Sequence, residues 1–243
     1  MWALFQKELS GFFSALTGYI VIAVFLTVNG LFLWVFPGNM NILDIGTSSL
    51  SPLFSMAPWV FLFLVPAITM RSFSEEKRSG TLDLLLTRPL SYFQIIMGKY
   101  LASVSVVILA LVPVLVYYFS VIRLGSTPGN IDHGAFWGSF IGLFLLGAVY
   151  VAIGILASML TDNSVVAFLL GVFLAFIFYS GFDYIANIFE YGGFGNFIQN
   201  LGIDAHYRSI SRGIVDSRDL LYFFATIAIF IQLTRLKLAS KHW

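Results

Sequence analysis

The chain has 243 residues, 59% of them hydrophobic and only 10% charged, with a mean hydropathy of +0.91 and a net charge of +1. That composition belongs to an integral membrane protein, all-α on the six helical spans placed below, and the net charge gives no argument for nucleic acid. With no cysteine, a disulfide framework, a thiolate metal site and a cysteine nucleophile are excluded.

At the N-terminus, Trp2, Leu4, Phe5, Leu9, Phe12 and Phe13 alternate with Gln6, Lys7, Glu8 and Ser10. This pattern predicts a helix at 2–15 lying in the membrane interface, although a simple extension of the first span fits the same residues. Lys7 and Glu8 interrupt the apolar run and no small-residue cleavage site comes after it, so no removable signal peptide is expected. Crossing about 30 Å of hydrocarbon takes roughly 20 apolar residues. Six stretches qualify, near 17–36, 53–71, 94–121, 136–159, 164–184 and 219–236. The sixth is free of charge only from Leu220 to Thr234, with Arg235 and Lys237 placed to snorkel to the headgroups. Pro66 and Pro113 predict kinks in spans two and three. Gly134, Gly138 and Gly142, with Gly147 and Gly154 beyond, give span four a smooth face suited to close packing within the chain.

Counting Lys and Arg near the span ends sets the expected orientation. Lys7, Arg71, Lys77, Arg78, Arg88, Lys99, Arg235, Lys237 and Lys241 fall on one side, and Arg123, Arg208, Arg212 and Arg218 on the other. Nine against four predicts that both termini and the 72–93 loop are cytoplasmic. No acidic or basic residue lies near a span midplane, where an ion-coupled carrier would keep one at a cost of roughly 2.5 to 3.5 kcal/mol. Asp183 and Lys99 come nearest, and both are expected to solvate at span ends. The pair Gly98-Lys99 lacks the upstream glycine of a P-loop, and His133, His206 and His242 are scattered. We therefore expect no catalytic site, no metal and no cofactor on this chain.

Function is most legible in Ser74 to Ser91, SEEKRSGTLDLLLTRPLS, between spans two and three. A loop that only had to stay in water would be polar throughout, whereas Leu82, Leu84, Leu85 and Leu86 need a surface to pack against. Gly80 suits a helix end, Thr81 can cap a short helix over 82–88, Pro89 stops it, and Ser91 to Gln94 has the form of a capping box opening span three. Glu75 and Glu76 are placed to pair with basic groups of a partner, or with Arg78 and Arg88.

The pattern E-E-x-x-x-G-T-L-x-L-L-L-T-x-P-L-S resembles the signature of type-two ABC exporter permeases, matched by Glu75, Glu76, Gly80, Thr81, Leu82, Leu84, Leu85, Leu86, Thr87, Pro89, Leu90 and Ser91. Asp83 departs from the usual glutamate, and Arg88 fills a variable position. The resemblance implies a cytosolic coupling helix that receives the stroke of a cognate ABC ATPase subunit, which binds the ATP and Mg. It further implies a second permease copy or homologue and a bacterial inner-membrane location.

The segment Ile210 to Phe224, with the Arg235 to Trp243 tail, looks like the gliding-motility permease subunit (GldF-like) within this family. Related permeases for sodium export and copper-site maturation share similar sequence there. The narrower resemblance implies an auxiliary membrane subunit with a large external domain. The external segment 185–218 suits amphipathic helices; it reads equally as a plain connecting loop or as a surface where Asp204, His206, Arg208, Arg212, Asp216, Arg218 and Asp219 offer charges to such a subunit. The expected function is ATP-driven export or transmembrane force transmission. A non-transporting membrane scaffold of a motility or secretion complex is the alternative, and a stand-alone secondary carrier is disfavoured by the missing midplane charges.

Overall fold

The computed structural model describes residues 1–46, 48–125, 131–189 and 193–240. Lys241, counted above for orientation, His242, one of the scattered histidines, and Trp243, the end of the tail, lie outside them. The described residues are helical with no strand. Among the described residues, six helical segments are long and apolar enough to cross a membrane: Thr17–Val35, Ser51–Arg78, Tyr92–Leu124, His133–Leu160, Ser164–Ile188 and Ser217–Ala239.

Ahead of them, α1 (Trp2–Ser14) is a separate helix. It stops because Leu16 adopts a left-handed backbone, φ 59°, which an α-helix cannot carry. Leu4 faces inward from α1 and settles over Gly98, whose missing side chain leaves the room. Span one, α2 (Thr17–Gly30), finishes in a π-helical turn at Leu31–Val35. The short α3 (Ile42–Ile45) then leads to α4 (Ser51–Thr69), which holds Pro58 and Pro66 inside a continuous helix. Pro66 does not break this helix. It packs against Gly171, where an added Cβ would lie 3.1 Å away. At Pro113 the ladder does break, dividing span three into α7 (Tyr92–Leu111) and α8 (Val114–Leu124).

The most buried span is the fourth, α9 (His133–Leu160), around which spans two, three, five and six gather, while span one packs on spans two and three. Its glycines explain how closely they approach. Gly147 meets Val107 and Phe61, Gly154 meets Thr69, and Gly138 and Gly142 meet a connecting segment instead of another span. Span five comprises α10 (Ser164–Phe176), a π-turn at Ile177–Gly181 and α11 (Phe182–Ile188). Two connecting helices, α12 (Gly193–Gln199) and α13 (Ile203–Ser211), precede span six, α14 (Ser217–Ala239).

Candidate functional site

The end of span two and the segment after it make two short helices, α5 (Ser74–Arg78) and α6 (Thr81–Leu86). Neither is long enough to be stable alone, so tertiary contacts must hold them. Helix α5 is fastened to the end of span four. The Ser158 hydroxyl accepts from the backbone N–H of Phe73 at 2.8 Å and of Ser74 at 3.1 Å. The Lys77 ammonium donates to the Met159 carbonyl at 2.7 Å, and Phe73 is fully buried beneath the turn. Gly80, at φ +70°, makes the reversal into α6 in a backbone region that L side chains resist.

Thr81 is the first helical residue of α6 and does not cap it. Gly80 occupies the cap, and the Thr81 hydroxyl sits 2.8 Å from that of Ser79. Along α6, Leu82 is 1% exposed and anchors the helix to the core, while Leu85, Leu86 and Leu90 rest partly against it. Leu84 stands 67% exposed, flanked by exposed Thr81, Asp83, Thr87, Arg88 and Pro89. Of the four leucines expected to need a surface, three find one within this chain and only Leu84 lacks it. The Ser91–Gln94 capping box forms in both directions, at 3.1 and 3.2 Å, and starts α7.

The two glutamates part company. Glu75 is exposed, whereas Glu76 turns back to Lys99 at 2.8 Å instead of reaching Arg78, Arg88 or a partner. Lys99 is itself buried, 1% exposed at the side chain, and pairs a second time with Glu8 of α1 at 2.9 Å. It therefore does not solvate a span end, as the sequence suggested. Stripping a buried ammonium of its partners costs roughly 3–5 kcal/mol, so both carboxylates are held where they stand. The Phe73 ring, its centroid 5.2 Å from the ammonium, closes the remaining side. Sequence reading missed this cluster because Glu8 lies 91 residues before Lys99.

At the opposite end of the helices, α13 presents one buried face of Ile203, Asp204, Tyr207 and Ile210. The Tyr207 hydroxyl donates to the Phe54 carbonyl at 2.6 Å, tying α13 to span two. Burial pushes the Asp204 carboxyl above the ordinary aspartate range, and the Arg208 guanidinium paired with it opposes that rise. His206 meets Asp219 at 2.6 Å and stacks on Tyr222, Asp216 caps α14, and Asp183 accepts from Gln199 at 2.7 Å. Most of the charges expected to face an external subunit have partners within the chain, yet Arg208, Arg212, Asp216 and Arg218 remain exposed. A cavity of about 470 Å³ opens here, walled by Ser51, Phe54, Phe136, Ser139, Tyr207 and Arg212 among others.

Two short helices, one closing span two and one between it and span three, lie where the exporter resemblance places its signature. Residues 60–234 match the family model described as ABC-2 family transporter protein. The chain belongs to that family. It is accordingly a multi-pass permease component of an ABC transporter, working beside an ABC ATPase. The ABC-2 match starts inside span two, so α1 and span one precede it, while α5, α6 and Lys99 fall within it. No curated protein matches the chain to refine the family assignment.

Proposed function

We propose that residues 74–91 receive the stroke of a cognate ABC ATPase on the cytoplasmic side and pass it to spans two, three and four. The observation that carries this reading is Leu84, a large apolar side chain held out on a helix whose other leucines are seated. Apolar anchors of this kind dominate docking interfaces when they enter a partner's pocket. Exposed Glu75, Asp83 and Arg88 supply the polar rim around it. ATP and Mg²⁺ belong to the partner, and closure of the ATPases drives the switch through contacts that differ between their ATP-bound and free states. A second permease copy completes the transport route. The resemblance of Ile210 to Phe224 supports the gliding-motility type, with an auxiliary membrane subunit engaging the far end and the output being export or outward force.

The test is ATP hydrolysis by the cognate ATPase reconstituted with this chain in nanodiscs, comparing wild type with Leu84→Asp and Glu75→Lys. Leu84→Asp is expected to weaken association about tenfold or more, as loss of a central anchor does, while leaving helix content unchanged. Glu76 is avoided, because a lysine there would face the buried Lys99. If an active cognate ATPase neither binds nor is stimulated by folded wild-type chain, the coupling reading of 74–91 gives way to a non-transporting scaffold.

A further inference from the structure

Lys99 grips two elements that are distant in sequence. Its ammonium reaches Glu76 of α5, 23 residues away, at 2.8 Å, and Glu8 of α1, 91 residues away, at 2.9 Å. It sits two turns into α7, about 10 Å along the helix. The two glutamates are each mostly buried, and the second oxygen of Glu76 has no hydrogen-bond partner. Two carboxylates held this close repel unless a cation stands between them, and Lys99 is that cation. The neighbouring residue supports the same contact sterically, since Leu4 of α1 fills the space above Gly98, with atoms 3.1 to 3.4 Å from where a Cβ would lie.

We propose that Lys99 is a positioning residue that locks α1 and α5 into one rigid unit, so that the N-terminal helix moves with the segment the ATPase pushes. This rests on the reading of 74–91 given above. It extends that reading to an element outside the 60–234 family match, since Glu8 precedes it. The charge geometry makes the role specific. Losing Lys99 both releases Glu8 and sets it against Glu76, so α1 keeps only its apolar packing on α7, while α5 keeps its bonds to Ser158 and Met159. Because Lys99 is buried, it cannot touch the ATPase, and it acts on coupling only through α1 and α5.

The chain has no cysteine, so spin labels at Ser10→Cys and Ser79→Cys, both exposed positions, report the α1-to-α5 distance alone. In nanodiscs without any ATPase, a single narrow distance distribution is expected for the otherwise unaltered chain and a broad one for Lys99→Met. Gly98→Val should broaden it as well, by displacing Leu4 with every charge in place. Glu8→Gln and Glu76→Gln should be non-additive when Lys99 is present and additive in the Lys99→Met background. With the ATPase added, Lys99→Met should bind it with unchanged affinity but lose tenfold or more of the stimulation, a split that general misfolding does not produce. An unchanged distance in Lys99→Met and in Gly98→Val overturns the joint, whatever the ATPase does. A broadened distance with full stimulation overturns its part in coupling. Failure of wild type to stimulate the ATPase sinks the coupling reading of 74–91 instead and leaves the distance result standing.

Discussion

Gly154 illustrates how little room the helix packing leaves at a single residue. A methyl group there would lie 2.0 Å from the Thr69 hydroxyl oxygen and 3.0 Å from the Thr69 Cβ. Thr69 is fully buried and its hydroxyl donates to the Val65 carbonyl at 3.0 Å, so it can yield only by losing that bond or by moving span two. Overpacking of this kind costs about 1–3 kcal/mol. Gly154→Ala should therefore lower the thermal midpoint of the purified protein by roughly 2–12 °C on the scaling for a chain of this size. Thr69→Ala in the same chain should recover most of the loss. Gly11→Ala, at a glycine with nothing within 4 Å of the added carbon, should not lower it. A midpoint unmoved by Gly154→Ala would mean that spans two and four are less closely seated than their geometry shows.

The connecting element α13 depends on the same device, with backbone in place of side chain. A Cβ at Gly138 would fall 2.5 Å from the Ile210 carbonyl oxygen and 2.8 Å from the Gly213 Cα, and neither atom can rotate away. Gly213 is itself at φ +87°, and the Ser139 hydroxyl donates to the Ser211 carbonyl at 3.1 Å. Gly138→Ala should thus lift α13 and the turn after it from span four, speeding hydrogen exchange of amides 203–213 by about tenfold or more while those of α5 to α7 stay unchanged. Uniform protection across 203–213 in that variant would refute the close approach. The glycine spacing in span four was legible as a smooth face, but spacing carries no information about which element will occupy it. The same limit explains the rest. Six apolar stretches, the reversal at Gly80 and the Ser91–Gln94 box are local, set by run length, by one backbone preference and by residues three apart. The π-turns at Leu31–Val35 and Ile177–Gly181 have no residue signature, and the proline rule alone does not tell Pro66 from Pro113. Which leucine of α6 would stay uncovered depended on where the core lies, and the partners of Lys99 came from helices far away in sequence.

On the scale of the whole molecule, the helices have two chemically unequal ends. Lys7, Arg71, Lys77, Arg78, Arg88, Arg235 and Lys237 gather with α1, α5 and α6, whereas Arg123, Arg208, Arg212 and Arg218 lie with α13 at the other. Basic residues in short segments next to the membrane are retained on the cytoplasmic side during insertion. We therefore predict that α6 faces the cytosol, where an ATPase and its ATP are found, and that α13 faces outward. Because the chain has no cysteine, one introduced thiol reports each end without background. Ser79→Cys and Ser217→Cys both sit at exposed positions, one beside Gly80 and the other at the start of α14. In spheroplasts, a membrane-impermeant maleimide should modify the thiol at position 217 at once and that at position 79 only after permeabilisation. The inverse pattern would place Leu84 outside the cell, where no ATP-driven partner could reach it. The exposed face of α6 would then have to serve an extracytoplasmic protein, and the apolar anchor, the α5 fastening and the Lys99 joint would belong to that contact instead.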